Sequence, residues 1–442
     1  MLQRFISFIP ILTLPVLLGS CQFLAEKHVV LLVQGIALAP KYPESAWGSF
    51  HSTQDGKGSW TGMIGYLEQN GFRFGGKISL NKGNGAGWKL DTSGTKTKPE
   101  NATLFALEFS ESANEDGVAY RALELSTSID AVRQLTGAGK IDLVAHSAGG
   151  IVARVYLQNA LPEVPYRDNV ARLITVGTPH LGAVLARFFG KFFGAQVSSL
   201  KPSAGLIQDL NNHLELPPEV LYASIIVRGL GADSLGNGKA YQRFIDPQAV
   251  MKLPVDLRLG GDQIVHVLSQ NLALSRSARR YEQTTKQPIL YPLVRIKDPS
   301  PEDISIFETK VHQIETDDPA LHEAVLQLLQ SGNNLWSHKM SDHPWVAQQA
   351  RSFAVGAIEN EALREHPLTQ VISVHLDEFV KDDTSRNNSQ YRLKGYAKSK
   401  GILLGIVKHT THFKGKFNLS FDEFGRVIAS QIFLAKNHIQ QP

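Results

Sequence analysis

Residues 141–150 read Ile-Asp-Leu-Val-Ala-His-Ser-Ala-Gly-Gly, and an apolar pattern at helical spacing (Ile151, Val152, Val155, Tyr156) follows at once. The short apolar run fits a strand buried in a parallel sheet. A serine on the tight turn from such a strand into a helix has its hydroxyl exposed above the sheet. Strand and helix backbones nearly touch at that turn, so small residues must stand two before and two after the serine. Ala145 and Gly149 meet this need, and Ala145 exceeds a glycine by one methyl group. The same letters also suit an ordinary helix start in which Ser147 is the N-cap.

The elements on either side extend the pattern. Val29–Val33 is an apolar, β-branched run and reads as a buried strand. A helix is expected near 60–70, ended by Gly71 as its C-cap. Thr103–Phe109 reads as a strand, Val118–Leu135 as an amphipathic helix ended by Gly137, and Ala171–Val176 as the strand after the serine turn. Tyr222–Val227 and Tyr291–Ile296 read as further strands, and Pro319–Leu329 as a helix. Strands alternating with helices of this length predict a mainly parallel sheet covered on both faces. Residues 81–101 are crowded with Gly, Lys and Thr and read as a surface insertion. Their Gly-Asn-Gly-Ala-Gly lacks the lysine-hydroxyl ending of a phosphate loop, which argues against nucleotide binding.

From residue 366 the character changes to alternating stretches: Val371–Phe379, Tyr391–Tyr396, Ile402–Val407, Lys414–Leu419 and Val427–Phe433. Turn residues separate them at 383–389 and 422–425. That pattern predicts a small antiparallel β unit over 366–442, attached to a main domain over 21–365.

The chain has 442 residues, 43% hydrophobic and 19% charged, enough for one large core. A net charge of +4, spread without an Arg-Lys block, argues against a nucleic-acid partner. At the N-terminus, Arg4 precedes an apolar run from Phe5 to Leu18 that is broken by Pro10 and Pro15, and Leu-Gly-Ser-Cys follows. The run is too short and proline-rich to span a membrane and fits a secretory signal over 1–20. Cys21, the only cysteine, resembles the acylated cysteine of a bacterial lipoprotein. Acyl chains there would anchor the protein to a membrane. Gln22 in place of an inner-membrane retention aspartate points to the outer membrane. Plain secretion with an incidental cysteine is the simpler alternative.

A serine nucleophile needs an imidazole base, an acid to hold that imidazole, and donors for the oxyanion. Two acids are candidates. Asp262 follows Gly260-Gly261, which allow a sharp turn, and Asp233 lies just beyond the strand at Tyr222–Val227. Either also suits an ordinary turn aspartate. Among 15 histidines, His312 lies after the last expected strand and before the helix at Pro319. His322 falls on that helix and reads as a surface residue, while His343 and His366 come late and beside prolines. Oxyanion donors would be the backbone N–H groups of Ala148 and of Ile36, next to Gly35. No cofactor is implied, and the histidines and acids of 338–343 lack the spacing of a metal site.

Taken together, Val29–Gly35, Val144–Gly150, Thr175-Val176-Gly177-Thr178-Pro179-His180-Leu181-Gly182, Gly261–Ser269 and His312–Pro319 resemble the α/β-hydrolases of the lipase kind. The pattern is similar to that of bacterial lipases and of the GPI inositol-deacylase-like group. The resemblance implies Ser147 as nucleophile, Asp262 as acid, His312 as base and His180 as a structural loop residue. Gln34 departs from the histidine usual before the oxyanion glycine. The long stretch between the Tyr222 strand and Asp262 departs as well, and it leaves Asp233 open as the acid.

Phe188, Phe189, Phe192 and Phe193 sit at helical spacing, interrupted by Gly190 and Gly194, within a segment 183–215 that could form a lid. They read either as an acyl-chain wall or as a core-facing helix stripe. The activity implied by the resemblance is hydrolysis of lipid or other acyl esters through an acyl-enzyme. Phospholipase, inositol-deacylase-like or acyltransferase chemistry would use the same residues. A non-catalytic surface lipoprotein is the reading of another class.

Overall fold

The computed structural model describes residues 28–35, 62–81, 87–110, 113–184, 194–229, 264–296, 315–331, 344–365, 369–385, 388–401, 408–422 and 426–437, with shorter pieces between 238 and 262 and the single positions 186, 312 and 336. Its core is an eight-stranded sheet: β1 (Val30–Val33), β2 (Phe74–Asn81), β3 (Gly87–Asp91), β4 (Leu104–Leu107), β5 (Ile141–His146), β6 (Val170–Val176), β7 (Leu221–Gly229) and β8 (Leu293–Ile296). The order is β3-β2-β4-β1-β5-β6-β7-β8, parallel throughout except for the β2–β3 pair at one edge. The sheet is covered on both faces, which is the α/β-hydrolase arrangement expected from the sequence.

The helices are α1 (Gly62–Gln69), α2 (Ala113–Thr136), α3 (Ala148–Leu157), α4 (Gly194–Ser199), α5 (Gly205–Asn212), α6 (Val267–Gln270), α7 (Arg276–Thr285), α8 (Pro319–Gln330) and α9 (Pro344–Glu365). Strand alternation assigns them to layers. Val30 and Leu32 of β1 join the core made with α1, α8 and α9. Leu31 and Val33 join the opposite core, made with α2, α3, α5 and α7. Because both faces of the central strands are dry, β1, β5 and β7 are buried along their whole length, and so they read as continuous apolar runs.

The ends of the elements follow their glycines. Gly71 (φ 94°) and Gly137 (φ 72°) turn the chain after α1 and α2, as expected for C-terminal caps. Gly117 (φ 80°) breaks the first turns of α2, so the regular helix starts at Val118.

At the far end of the central strands Arg172 and Asp142 are both buried. The Arg172 Nε–H donates to Asp142 Oδ1 (2.8 Å), and Nη1 donates to the carbonyls of Leu328 (2.9 Å) and Leu329 (3.0 Å). One guanidinium thus closes the C-terminus of α8 onto β5 and β6.

Several expectations are corrected. The supposed insertion at 81–101 contributes β3, which pairs antiparallel with β2. As a half-exposed edge strand it needs no apolar period. β2 itself was unforeseen, because Gly75-Gly76 interrupts its pattern at a register shift. A Cβ at Gly75 would come within 2.6 Å of the Phe105 ring, so only glycine fits against β4 there. Helix α9 was also missed. Its buried side is Ala350, Phe353, Ala354, Ile358 and Ala362, a helical period hidden by alanines of low hydrophobicity. His322 is buried rather than on the surface, and its Nε2–H donates to the Thr316 carbonyl (2.8 Å) at the entry to α8.

The C-terminal region forms a four-stranded antiparallel sheet, ordered β12-β11-β10-β9, from β9 (Thr369–Ser385), β10 (Asn388–Gly401), β11 (Lys408–Phe421) and β12 (Val427–Asn437). The stretch at 402–407 lies outside the described residues. One face of this sheet packs on α9, and Tyr391, Leu393, Phe413 and Phe417 share a continuous core with Leu293 and Phe353. Arg426 fastens the sheet to the main body through the Ile289 carbonyl (3.1 Å) and the Glu282 carboxylate.

Candidate active site

Ser147 sits at the junction of β5 and α3 with φ 52° and ψ −130°, and its side chain makes no capping hydrogen bond. Positive φ at a non-glycine residue is strained and persists only where the surroundings impose it. Here the Ser147 N–H donates to the Val176 carbonyl (2.8 Å) on one side. On the other, a Cβ at Gly149 would collide with the backbone carbonyls of Val33 and Gln34, and one at Gly35 would lie 2.8 Å from Ser147 Cβ. Small residues are therefore required, and the N-cap reading of Ser147 is set aside. Ala145 is buried on β5 beside Val33, and its methyl group is accommodated.

His312 lies beyond β8, in the chain that leads to α8. The Ser147 hydroxyl donates to its Nε2 (2.8 Å), and the opposite nitrogen, Nδ1, donates to Asp262 Oδ2 (3.0 Å). Both contacts are satisfied by the tautomer protonated on Nδ1. Asp262 is fully buried in the loop that leads into α6, well beyond the end of β7. Its Oδ1 accepts from the N–H groups of Ile264 (3.0 Å) and Val265 (2.7 Å), which fixes the loop predicted from Gly260-Gly261. Asp233 lies outside the described residues, as do Ile36 and the four phenylalanines Phe188, Phe189, Phe192 and Phe193. Ala148 opens α3, where the first N–H groups of a helix lack intrahelical acceptors.

Three residues that the sequence did not suggest complete the surroundings. Glu315 is fully buried, and its Oε1 lies 3.3 Å from His312 Nδ1 and 2.7 Å from His146 Nε2. A second carboxylate thus approaches the same ring nitrogen as Asp262. Gln270 of α6 clamps the acid loop: its Nε2 donates to Asp262 Oδ2 (3.1 Å) and to the carbonyls of Val265 (2.9 Å) and Val227 (3.0 Å). Arg121 of α2 donates to the Gly35 carbonyl (3.1 Å) and so tethers the turn after β1. Burial pushes the Arg121 pKa down to about 10.

Charges in this cluster compete. Burial disfavours protonated His312, yet the carboxylates of Asp262 and Glu315 outweigh it and hold its pKa well above the ordinary 6.5. Burial, with Glu315 nearby, raises Asp262. For Glu315 burial works in the same sense, but His312 and the hydrogen bond from His146 overcome it and hold it low.

His180 is not part of this group. It is buried, its ring bonds Thr175 Oγ1 (2.9 Å), and its carbonyl accepts from Asn211 Nδ2 (2.7 Å). Burial drives its pKa well below 6.5. That matches the structural loop role implied by the family resemblance. Residues 205–212 of the expected lid are fastened to the body. Arg154 of α3 donates to the Leu210 carbonyl (2.7 Å) and Asn211 Oδ1 (3.1 Å).

His146, His312 and Glu315 place possible ligand atoms within 4.8 Å of one another, so a divalent ion could be held there. Such an ion would take Nδ1 away from Asp262 and break the chain of hydrogen bonds.

The sequence pattern of the alpha/beta hydrolase fold matches residues 29–209. Over 87 residues, 20% of this chain, the protein is 33% identical to a triacylglycerol lipase of Pseudarthrobacter phenanthrenivorans, covering 25% of that protein. It is likewise 33% identical over 87 residues to a triacylglycerol lipase of Burkholderia plantarii, covering 23% of it. The chain thus spans about a quarter of the length of the curated relatives it matches. Among solved structures, the mature Bacillus licheniformis lipase BlEst2 aligns with a TM-score of 0.39 and 15% identity, covering 69% of this chain and 93% of that one. The Legionella pneumophila phospholipase PlaB aligns with a TM-score of 0.39 and 12% identity, covering 93% of this chain and 90% of that one.

Proposed function

We propose that this α/β-hydrolase is a serine carboxylic-ester hydrolase acting on lipid or other acyl esters. The observation that carries the reading is the unbroken series Ser147 Oγ, His312 Nε2, His312 Nδ1 and Asp262 Oδ2, with links of 2.8 Å and 3.0 Å. In this reading Ser147 Oγ attacks the ester carbonyl carbon while His312 Nε2 takes its proton. Asp262 holds the imidazole in the accepting tautomer and stabilises the imidazolium that forms. The N–H of Ala148 and that of Ile36 receive the oxyanion. His312 then returns the proton to the leaving alcohol. Water, activated by the same imidazole, attacks the acyl-enzyme and releases the acid.

Signal cleavage and acylation at Cys21, with outer-membrane placement, complete the proposal. They rest on the sequence around Leu18–Gln22. In this scheme the catalytic part spans 21–365 and the β unit 366–442.

The test is labelling of the purified protein by a fluorophosphonate probe, followed by hydrolysis of p-nitrophenyl esters of graded chain length. Labelling that disappears in Ser147→Ala, with ester turnover lost in parallel, supports the enzyme. A folded protein that neither labels nor turns over any ester would leave only the non-catalytic lipoprotein reading.

A further inference from the structure

The outer face of the C-terminal sheet carries an excess of positive charge. With Tyr391, Leu393 and Ala397 of β10 and Phe413 and Phe417 of β11 turned toward α9, strand alternation sends Arg392, Lys394, Lys398, Lys414 and Lys416 outward, and all five are exposed. The register sets Lys394 directly across from Lys414, and Arg392 across from Lys416. Like charges directly opposed on neighbouring strands destabilise a sheet.

Arg392 is relieved by Asp382 (Nε to Oδ1, 2.6 Å) and by Glu378 (3.8 Å). Glu378 stands across from Lys394 on β9 with its carboxylate turned to Arg392, and among the described residues no carboxylate lies within 4.0 Å of the Lys394, Lys414 or Lys416 ammonium. The same face carries apolar side chains. Phe433 of β12 stands across from Lys416 and Val380 of β9 across from Arg392, at 53% and 44% exposure. Of the four large apolar residues exposed among the described residues, these two and Ile428 lie on this sheet.

We propose that this face docks the protein on the surface of an anionic lipid bilayer. The lysines would meet lipid phosphates, and Phe433 and Val380 would enter the headgroup layer. Basic residues near an anionic membrane and apolar side chains entering its interface both favour binding. A second copy of the chain is a poor occupant, because a two-fold contact through this face would set lysines against lysines. Single-stranded nucleic acid fits less well, because it binds by stacking successive bases on several open aromatic rings, and Phe433 offers one such ring on this face. Tyr396, the aromatic at the centre of this face, is already covered by His375 (4.7 Å) and His412 (5.5 Å), with Lys398 Nζ 5.6 Å from its ring centre.

This inference does not depend on the hydrolase reading, and its test uses an inactive chain. The full-length Ser147→Ala protein is floated with vesicles of phosphatidylcholine alone and of phosphatidylcholine mixed with phosphatidylglycerol, at low and high salt. The same is done after adding Lys394→Gln, Lys414→Gln and Lys416→Gln together. Both proteins share residues 1–27, so any membrane affinity of that segment cancels in the comparison. Partitioning into the mixed vesicles is expected to exceed that into neutral ones and to fall with salt. The three substitutions should weaken it on the order of a hundredfold and remove the salt dependence. Adding Phe433→Ser to the parent should lower binding several-fold while leaving that dependence in place. Equal binding to both vesicle types overturns the proposal. So does unchanged binding of the lysine variant, a lysine-dependent dimer formed without lipid, or displacement of the vesicles by single-stranded RNA.

Discussion

Glu315 Oε1 lies 2.7 Å from Nε2 of His146, the side chain immediately before Ser147. A buried carboxylate is thereby anchored to the same strand that presents the proposed nucleophile, while its other contact is the base itself, at 3.3 Å. His312 is thus held between two acids, and only Asp262 also bonds the loop of Ile264 and Val265.

If both acids orient His312, neither should be fully essential alone. Asp262→Asn is expected to lower kcat by about 10- to 100-fold, well short of the roughly 10⁴-fold loss seen when a lone orienting acid is replaced. Glu315→Gln should cost less than Asp262→Asn, and the double variant should lose more than the product of the two. Steady-state kinetics of the three variants, with circular dichroism as a folding control, checks this.

The acids also set the pH profile. His312 must be neutral to accept the Ser147 proton, and its pKa lies well above 6.5 because of Asp262 and Glu315. Activity should therefore fall as pH drops through that raised value, with an acid limb more alkaline than an ordinary histidine gives. Glu315→Gln removes one anion, destabilises the imidazolium and should move the limb to lower pH. A kcat/KM profile whose limb does not move in that variant would argue against the second carboxylate.

Strain at Ser147 opposes stability. With φ 52° and ψ −130° the residue occupies a region that glycine adopts far more readily. Ser147→Gly should raise stability by about 1 kcal/mol in thermal unfolding while abolishing turnover.

Removing one partner of a buried ion pair leaves the other charge uncompensated. Asp142→Ala strands Arg172 between β5 and β6, and a loss of about 3–5 kcal/mol is expected, read as a lower Tm. The loss should greatly exceed that of Asp168→Ala, whose partner Lys140 lies on the surface.

An added ion should act at the relay. Zn²⁺ bound by His146, His312 and Glu315 would occupy Nδ1 and inhibit, and the effect should be reversed by EDTA and be weaker in His146→Ala. EDTA alone should leave the rate unchanged.

Much of the fold was legible because its signals are local. The strand before Ser147, the glycines after α1 and α2, and the alternation beyond residue 366 each follow from steric and burial demands within a few residues. β2 and α9 escaped for local reasons too: two glycines broke the pattern of one, and alanines diluted that of the other. Ser147 was readable because a tight turn dictates its own neighbours. His312 and Asp262 stood among candidates by position alone, and the family resemblance singled them out, since turn aspartates and loop histidines are common.

Order along the chain thus specified a buried parallel sheet with a serine on a tight turn at the C-terminal end of one of its strands. Only the folded molecule decided which imidazole meets that serine, that a second acid shares it, and that lysines of neighbouring strands face one another. Those are encounters between side chains far apart in sequence. No residue type or spacing encodes them, because they are fixed by strand order, register and the exclusion of water from the space between.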